Sequence, residues 1–422
     1  IVNAGTTIKM AQIFDPMGGG ANLVNYEWYQ QTISDFEKIY PDIKVELEIF
    51  KWDEIDVKAM ADFRAGIKDH DVFLTSPQLM AQHKLVGDLV DLSPYISNWS
   101  DERIAQFSWS ANWVKIGDEF LGIPTGAHTR LLLYNREMFK EVGLDPDRPP
   151  TNLDELVEYA KKLTRDTDGD GKIDIWGLGV YLGPERGTIE LSFAPLLWHF
   201  GGELWNPETK KATFASEAGI KAAQTLCDWV IKYEIVPKFA VSGAHDDVQL
   251  KPTLHGDYAM TWGWGSYWIS QLEDKGWVKG IFPPTPDGKA VVTDVALTPS
   301  QPQAQFTNCW TISMYNLSQN KDAAWKFIDF LFDCENLKKY PDAGLPACAD
   351  IWSAPEYQTP FYKVWKEAVA KGRGMPPTAH YGELADTVAA ALQQILVIDK
   401  GANIAKTLQK AEDEYNARYE GE

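Results

Sequence analysis

Basic residues are in short supply: 40 Lys and Arg stand against 60 Asp and Glu, a formal net charge of −20 over 422 residues. So acidic a chain repels nucleic acid and anionic lipid at long range, and neither is an expected partner. It suits a neutral or cationic ligand, although a local basic pocket would still hold an anion. No apolar run approaches the roughly 20 residues that span a bilayer. Residues 1–12 carry no basic head followed by an apolar stretch, the form of a secretory signal. Only four cysteines occur, Cys227, Cys309, Cys334 and Cys348, and none makes a C-x-x-C pair, which argues against a zinc or thioredoxin-type site. Spacing leaves two readings open: a Cys334–Cys348 bridge in an oxidising compartment, or four buried thiols. There is no G-x-S-x-G, no H-E-x-x-H and no nucleotide-binding loop. Gly18-Gly-Gly20 lacks the Lys and Ser or Thr of such a loop and reads as a permissive turn.

What is abundant is the aromatic ring: 17 Trp, 17 Tyr and 18 Phe. Most must be core, because large aromatics dominate burial. Seventeen Trp still exceeds the ordinary need of a core, and flat amphipathic rings are what stack on the apolar faces of pyranoses. The length exceeds one ordinary domain and points to two lobes.

Along the chain, Ile8–Phe14 reads as a strand, Asp15–Gly20 as a loop, and Tyr26, Tyr29, Ile33, Phe36 and Tyr40 recur at helical spacing until Pro41. Ile43, Val45, Leu47 and Ile49 alternate as a half-buried strand. A helix over 54–66 and a short apolar strand over 71–74 complete a β-α-β-α-β series, the pattern of a parallel sheet covered by helices. Ligands sit beyond the carboxyl ends of such strands, which selects Asp15–Gly20, Trp52 and Thr75-Ser76-Pro77. Residues 115–124 read as a hairpin. A second α/β series follows: a strand over 131–134, helices over 135–142 and 152–164, and more near 188–200, 216–233, 245–255 and 266–274. Pro283–Pro286 and Pro299–Pro302 read as loops. A strand over 310–314, a helix over 321–332 and helices over 357–371 and 382–416 close the chain.

Asp166, Asp168, Asp170, Lys172 and Asp174 occupy positions 1, 3, 5, 7 and 9 of a calcium-type loop, with Gly171 at position 6. Alternating oxygens on a tight turn converge on one point, as a hard Ca²⁺ requires. Position 12 is Gly177 rather than the bidentate Glu of an EF-hand, so another carboxylate would complete the shell. The expected ion is structural; the alternative is an acidic Gly turn without metal.

Several stretches resemble the extracellular solute-binding proteins of ABC importers, in the branch that includes maltose-binding protein. They are Phe36-Glu-Lys-Ile-Tyr-Pro-Asp-Ile-Lys-Val45, Asp71-Val-Phe-Leu with Leu85-Val-Gly-Asp-Leu-Val-Asp-Leu92, Gly122-Ile-Pro124 with Leu133-Tyr-Asn-Arg-Glu-Met-Phe139, Pro150-Thr-Asn-Leu-Asp-Glu-Leu156, Gly256-Asp-Tyr-Ala-Met260 with Gly265-Ser-Tyr267, and Ala323-Ala-Trp-Lys-Phe-Ile-Asp-Phe-Leu331. Each is weak alone, but six in order cover residues 36–331. The resemblance implies an α/β chain in the type-two periplasmic-binding fold, with two lobes hinged by three crossovers near 125–130, 304–308 and 348–352. Lobe one is then 1–127 plus 307–350, and lobe two 128–306 plus 351–422.

On that frame the expected ligand-binding residues are Asp15, Trp52, Ser76, His128, Trp264, Tyr267, Asn308, Trp310 and Trp352. Rings would stack on a sugar while amides and carboxylates bond its hydroxyls. Trp262-Gly-Trp-Gly-Ser-Tyr-Trp268 packs four rings into seven residues; half are expected in the core and half in the cleft, with Trp264 and Tyr267 the cleft pair. Trp198, His199 and Trp205 lie on a cleft-edge loop in relatives and carry less weight. Glu185-Arg186, in a Gly-Pro loop, is placed to reach polar ligand groups, although a solvated salt pair is the reading preferred. The expected function is non-enzymatic capture of a carbohydrate, a neutral oligosaccharide, by a monomer that delivers it to a membrane permease. The expected location is periplasmic or extracellular, free or lipid-anchored. The rivals are a glycan hydrolase with a cleft carboxylate pair, and the same fold with a polyol, acidic-sugar or sugar-phosphate ligand.

Overall fold

The structure is a computed structural model that describes residues 5–18, 20–107, 114–282, 284–299, 304–339 and 345–420. In chain order the strands of its two main sheets are β1 (Thr6–Gln12), β2 (Ile43–Ile49), β3 (Val72–Thr75), β4 (Ile123–Pro124), β5 (His128–Asn135), β6 (Met260–Gly265), β7 (Thr293–Ala296), β8 (Thr307–Asn308) and β9 (Thr311–Met314). The first sheet has the order β2-β1-β3-β9-β4. β1 lies parallel to both β2 and β3, while β9 returns antiparallel between β3 and β4. This follows from the sequence pattern: two β-α-β units place β1–β3 side by side, and the late strand closes the sheet after a long excursion.

The helix Gly20–Ile39 covers this sheet. Its Tyr29, Ile33 and Phe36 are buried, and Phe36 meets Phe327 of the helix Lys321–Leu331 edge-on at 5.2 Å. β2 turns Ile43 and Val45 inward and its glutamates outward, as the period of two requires.

The second sheet is built around β5, whose eight residues are all buried. β6, β7 and β8 all pair with it antiparallel. Leu131 and Leu133 face one apolar cluster, which continues into that of the first sheet. Leu132 and Tyr134 face another, with Leu156, Leu163 and Trp229. Asn152 caps the helix Leu153–Leu163, its side-chain oxygen accepting from the Glu155 N–H at 2.9 Å.

Three expectations about elements give way. The final helix is broken: Tyr381–Gln393 and a wide turn over Gln394–Ile398 precede a separate helix, Ile404–Arg418. Lys400, Gly401 and Asn403 all have positive φ between them, which no helix sustains. The proline-rich stretch is a strand, Pro284–Ala290, paired antiparallel with Val278–Ile281. Edge pairing tolerates proline because the missing N–H faces outward; Pro283 and Pro302 lie outside the described residues. Ile123–Pro124 leaves the hairpin of Lys115–Phe120 and joins the first sheet instead.

Two crossovers run together, with Asn308 of β8 opposite His128 of β5. Gly126 bridges to Pro346 close by. Cys334 and Cys348 form a disulfide, with Cα atoms 5.9 Å apart, while Cys227 and Cys309 are buried thiols. The bridged alternative is therefore the one adopted.

Candidate ligand-binding cleft

A cavity of about 760 Å³ lies where the strand ends of the first sheet face the second sheet and the crossovers. The loop after β1 supplies Asp15, that after β2 supplies Trp52, and that after β3 supplies Ser76 and Gln78. β5 supplies His128 and Arg130, and the turn after β6 supplies Tyr267 and Trp268. Asn308 and Trp310 line it from the second crossover. Seven of the nine expected ligand residues thus converge on one space, which is what strand-end loops in an open α/β sheet do.

Trp264 and Trp352 do not join them. Trp264 is fully buried and packs at 4.8 Å against Trp268, which takes its expected place in the lining. The cause is a register shift between Thr261 and Trp264, centred on Gly263 at φ +73°. A bulge reverses the alternation of a strand, so Trp262 and Trp264 enter opposite cores. The Gly-rich ring cluster is a buried strand as far as Gly265, and only Tyr267 and Trp268 emerge. Trp352 is buried on the turn Ala349–Ser353, where its indole N–H donates to the Pro346 carbonyl at 2.9 Å. Trp198, His199 and Trp205 are also absent from the lining.

Several lining groups are already committed. The Asp15 carboxylate accepts from the Met17 N–H at 2.9 Å, an Asx turn that leaves its second oxygen for other donors. Ser76 donates its N–H and its hydroxyl to Asp56 at 2.9 and 2.6 Å, so its hydroxyl oxygen can only accept from a ligand. Asp56 in turn takes His83 Nε2 at 3.0 Å, and His83 Nδ1 meets Asp88 at 2.8 Å. All three are fully buried. Burial opposes charge on His83, but its hydrogen bonds to Asp56 and Asp88 prevail and lift it to about 9.

Other buried polar atoms in the lining have no hydrogen-bond partner among the described residues: Asn25 Oδ1, Gln78 Oε1, Arg130 Nε, Arg186 Nε and Asn308 Oδ1. Unpartnered buried polar atoms are rare and costly. These five are groups that a polar ligand in the cavity would satisfy. The wall also carries aromatic rings, those of Phe14, Phe50, Trp52, Tyr181, Tyr267, Trp268 and Trp310, and the carboxylates of Asp53, Glu54, Glu185, Glu190 and Asp246.

Contacts span the cleft. Gln78 Nε2 donates to Glu190 Oε1 at 3.2 Å, and the Arg186 guanidinium lies 4.8 Å over the Trp52 ring. Arg186 is therefore a cleft residue, not half of a solvated pair with Glu185, which instead accepts from the Tyr181 hydroxyl at 2.9 Å. Sequence reasoning also missed Asn25, Gln78, Arg130, Glu190, His245 and Asp246. Gln78 was within reach, since it follows β3 as Ser76 does. Burial holds His245 down at about 4 and raises the Asp246 carboxyl.

Away from the cleft, Asp166, Asp168 and Asp174 bring carboxylate oxygens within 4.8 Å of one another. Asp170 is turned away and pairs with Lys172 Nζ at 3.0 Å. Asp166 accepts from Gly171 and Gly169 N–H groups and Asp174 from Thr167, which keeps both carboxyls below the ordinary range.

Comparison with known proteins agrees with this geometry. Residues 20–338 match the family model described as bacterial extracellular solute-binding protein. A maltotriose-binding protein from Pyrococcus abyssi is 21% identical over 397 residues, covering 93% of this chain and 80% of its own. The solved solute-binding protein of Thermotoga lettingae, bound with α-D-tagatose, superposes with a TM-score of 0.81 at 25% identity, covering 98% of this chain and 99% of that one. Maltose-bound MalE3 of T. maritima gives 0.80 at 20% identity, covering 98% and 100%. With its two α/β lobes, three crossovers and intervening cleft, the chain belongs to the bacterial extracellular solute-binding protein family, in the type-two periplasmic-binding fold.

Proposed function

We propose that this protein captures a saccharide in its cleft, without chemical change, and presents it in the closed form to the permease of an ABC importer outside the cytoplasmic membrane. The observation that carries the reading is the pairing of unpartnered amide and guanidinium atoms with aromatic faces in one cavity. Hydroxyls need the first and the C–H faces of a pyranose need the second. The volume lies within the range of about 300–1,000 Å³ usual for small-ligand sites. The saccharide-bound relatives support the same ligand class. Closure follows if the ligand, held by one lobe, adds contacts to the other and so favours the closed state.

The test is calorimetry with a saccharide panel, with the bound sugar recovered and analysed. Saturable binding and intact sugar are expected. Release of shortened sugar would show hydrolysis instead, and no binding by any saccharide would end the proposal.

For the 166–174 loop the reading is a structural Ca²⁺ held by Asp166, Asp168 and Asp174, with the Lys172 carbonyl and an Asp170 freed from Lys172. The close approach of three carboxylates supports it. Purified protein should bind Ca²⁺ and melt lower in chelator; an unchanged melting temperature and no bound metal would refute it.

A further inference from the structure

Two cations in the cleft make no ion pair with any described residue. Arg130 is only 6% exposed. Its guanidinium lies 4.9 Å from the Tyr267 ring and 5.2 Å from the Phe306 ring. Its one hydrogen bond is a long one, 3.4 Å, to the carbonyl of Thr129, and its Nε is unpartnered. Arg186 sits on Trp52 in the same cavity, also with an unpartnered, buried Nε. Among the described residues neither has a carboxylate oxygen within 4.0 Å.

This is unusual within the chain. Arg103, Arg136, Arg148, Arg165 and Arg373 each hold a carboxylate, and Arg64 and Arg418 are exposed. With 60 acidic residues to 40 basic ones, carboxylates are not scarce. Six carboxylates line the cavity, Asp15, Asp53, Glu54, Glu185, Glu190 and Asp246, yet none pairs with either guanidinium; Glu54 holds Lys51, Glu185 accepts from Tyr181, and Glu190 accepts from Gln78 and Tyr381. A buried charge without a counter-charge is expensive and persists where a ligand supplies one. Ring stacking occupies the guanidinium faces and leaves the donor-bearing edge for a planar or tetrahedral oxyanion.

The geometry points to an acidic saccharide as the ligand: a sugar bearing an oxyanion, carboxylate or phosphate, received by Arg130 with Arg186 as the second positive group. This inference rests on the saccharide reading of the cleft and sharpens it. It differs from the neutral ligand that the overall negative charge suits, because two cations gather locally: Arg130 in β5 and Arg186 in the loop ahead of the turn Ile189–Phe193.

The experiment compares matched neutral, uronate and phosphate forms of the same mono- and oligosaccharides by calorimetry, with native protein and with Arg130→Gln. An acidic form should bind at least ~30-fold more tightly than its neutral parent, as expected for a charge pair formed out of water. Whichever acid form carries that preference identifies the oxyanion. Arg130→Gln should weaken the acid form at least ~10-fold more than its neutral parent, so that the acid-to-neutral preference collapses. If that variant does not fold, the acid-to-neutral ratio of the native protein decides alone. Neutral parents that bind as tightly as both acid forms overturn the inference and leave saccharide capture standing. Failure of every sugar overturns both.

Discussion

Gln78 and Glu190 meet across the cleft: the Gln78 amide donates to the Glu190 carboxylate at 3.2 Å, and the Tyr381 hydroxyl donates to the same oxygen at 2.9 Å. Gln78 follows β3 of the first sheet, whereas Glu190 and Tyr381 belong to helical segments packed with the second. With Trp52 and Arg186, these residues form protein contacts that favour closure before any ligand contributes. A hydrogen bond to a charged group is worth ~1.5–3 kcal/mol. Gln78→Ala should therefore shift the ligand-free protein towards an open form, seen as a larger radius of gyration in small-angle scattering. An unchanged radius would mean that this pair does not restrain the lobes.

The rings divide into two classes that mutation should separate. Tyr267→Ala and Trp310→Ala remove cleft surface, so saccharide affinity should fall by ~1–3 kcal/mol with little change in melting. Trp264→Ala empties a fully buried site and should cost ~3–5 kcal/mol of stability. Calorimetry and thermal melting on the same three variants check both halves. A Trp264→Ala protein that melts normally would contradict its core assignment.

Much of the first lobe was legible because its periods are clean. Ile43, Val45 and Leu47 alternate without interruption, and Tyr29, Ile33 and Phe36 share one helical face. The strand-end rule then located Asp15, Trp52 and Ser76 correctly in the lining. It failed where local backbone geometry breaks the period. Gly263 carries a bulge that sends Trp264 inward, and a single sequence does not mark which glycine bulges. Arg130 was passed over because it falls in the expected crossover 125–130, ahead of the expected strand 131–134; the strand begins earlier, at His128, and carries Arg130 into the cleft lining. Arg186 was given less weight than it merits because its partner Trp52 is distant in sequence and meets it only in the folded chain.

The Cys334–Cys348 bridge should contribute to stability, because it ties the start of the helix Cys334–Leu337 to the residue just ahead of the Ala349–Ser353 turn beside the third crossover. For a sequence separation of 14, the loss of chain entropy in the unfolded state is worth ~3 kcal/mol. The Cys334→Ser/Cys348→Ser double variant should melt several degrees lower, and reductant should lower the native protein to match. Equal melting with and without reductant would show that the bridge carries no such load.

Stability should decline at alkaline pH through His83. This histidine is enclosed between Asp56 and Asp88, and Asp56 holds the Ser76 N–H and hydroxyl at the cleft wall. Burial disfavours its charge, yet the two carboxylates raise it from about 6.5 to about 9. A group raised in the folded state stabilises fully below its unfolded value, so this contribution is intact below pH 6.5 and is lost as pH climbs through 9. Asp56 is lowered despite burial, by His83 and Ser76, and its contribution is lost in acid instead. Melting temperature should therefore fall between pH 7 and 9.5. His83→Gln should lower stability at pH 7 by ~3–5 kcal/mol, the cost of stranding buried carboxylates, and should flatten the alkaline slope. A native protein whose melting is indifferent to pH from 7 to 9.5 would show that His83 is not charged in the fold.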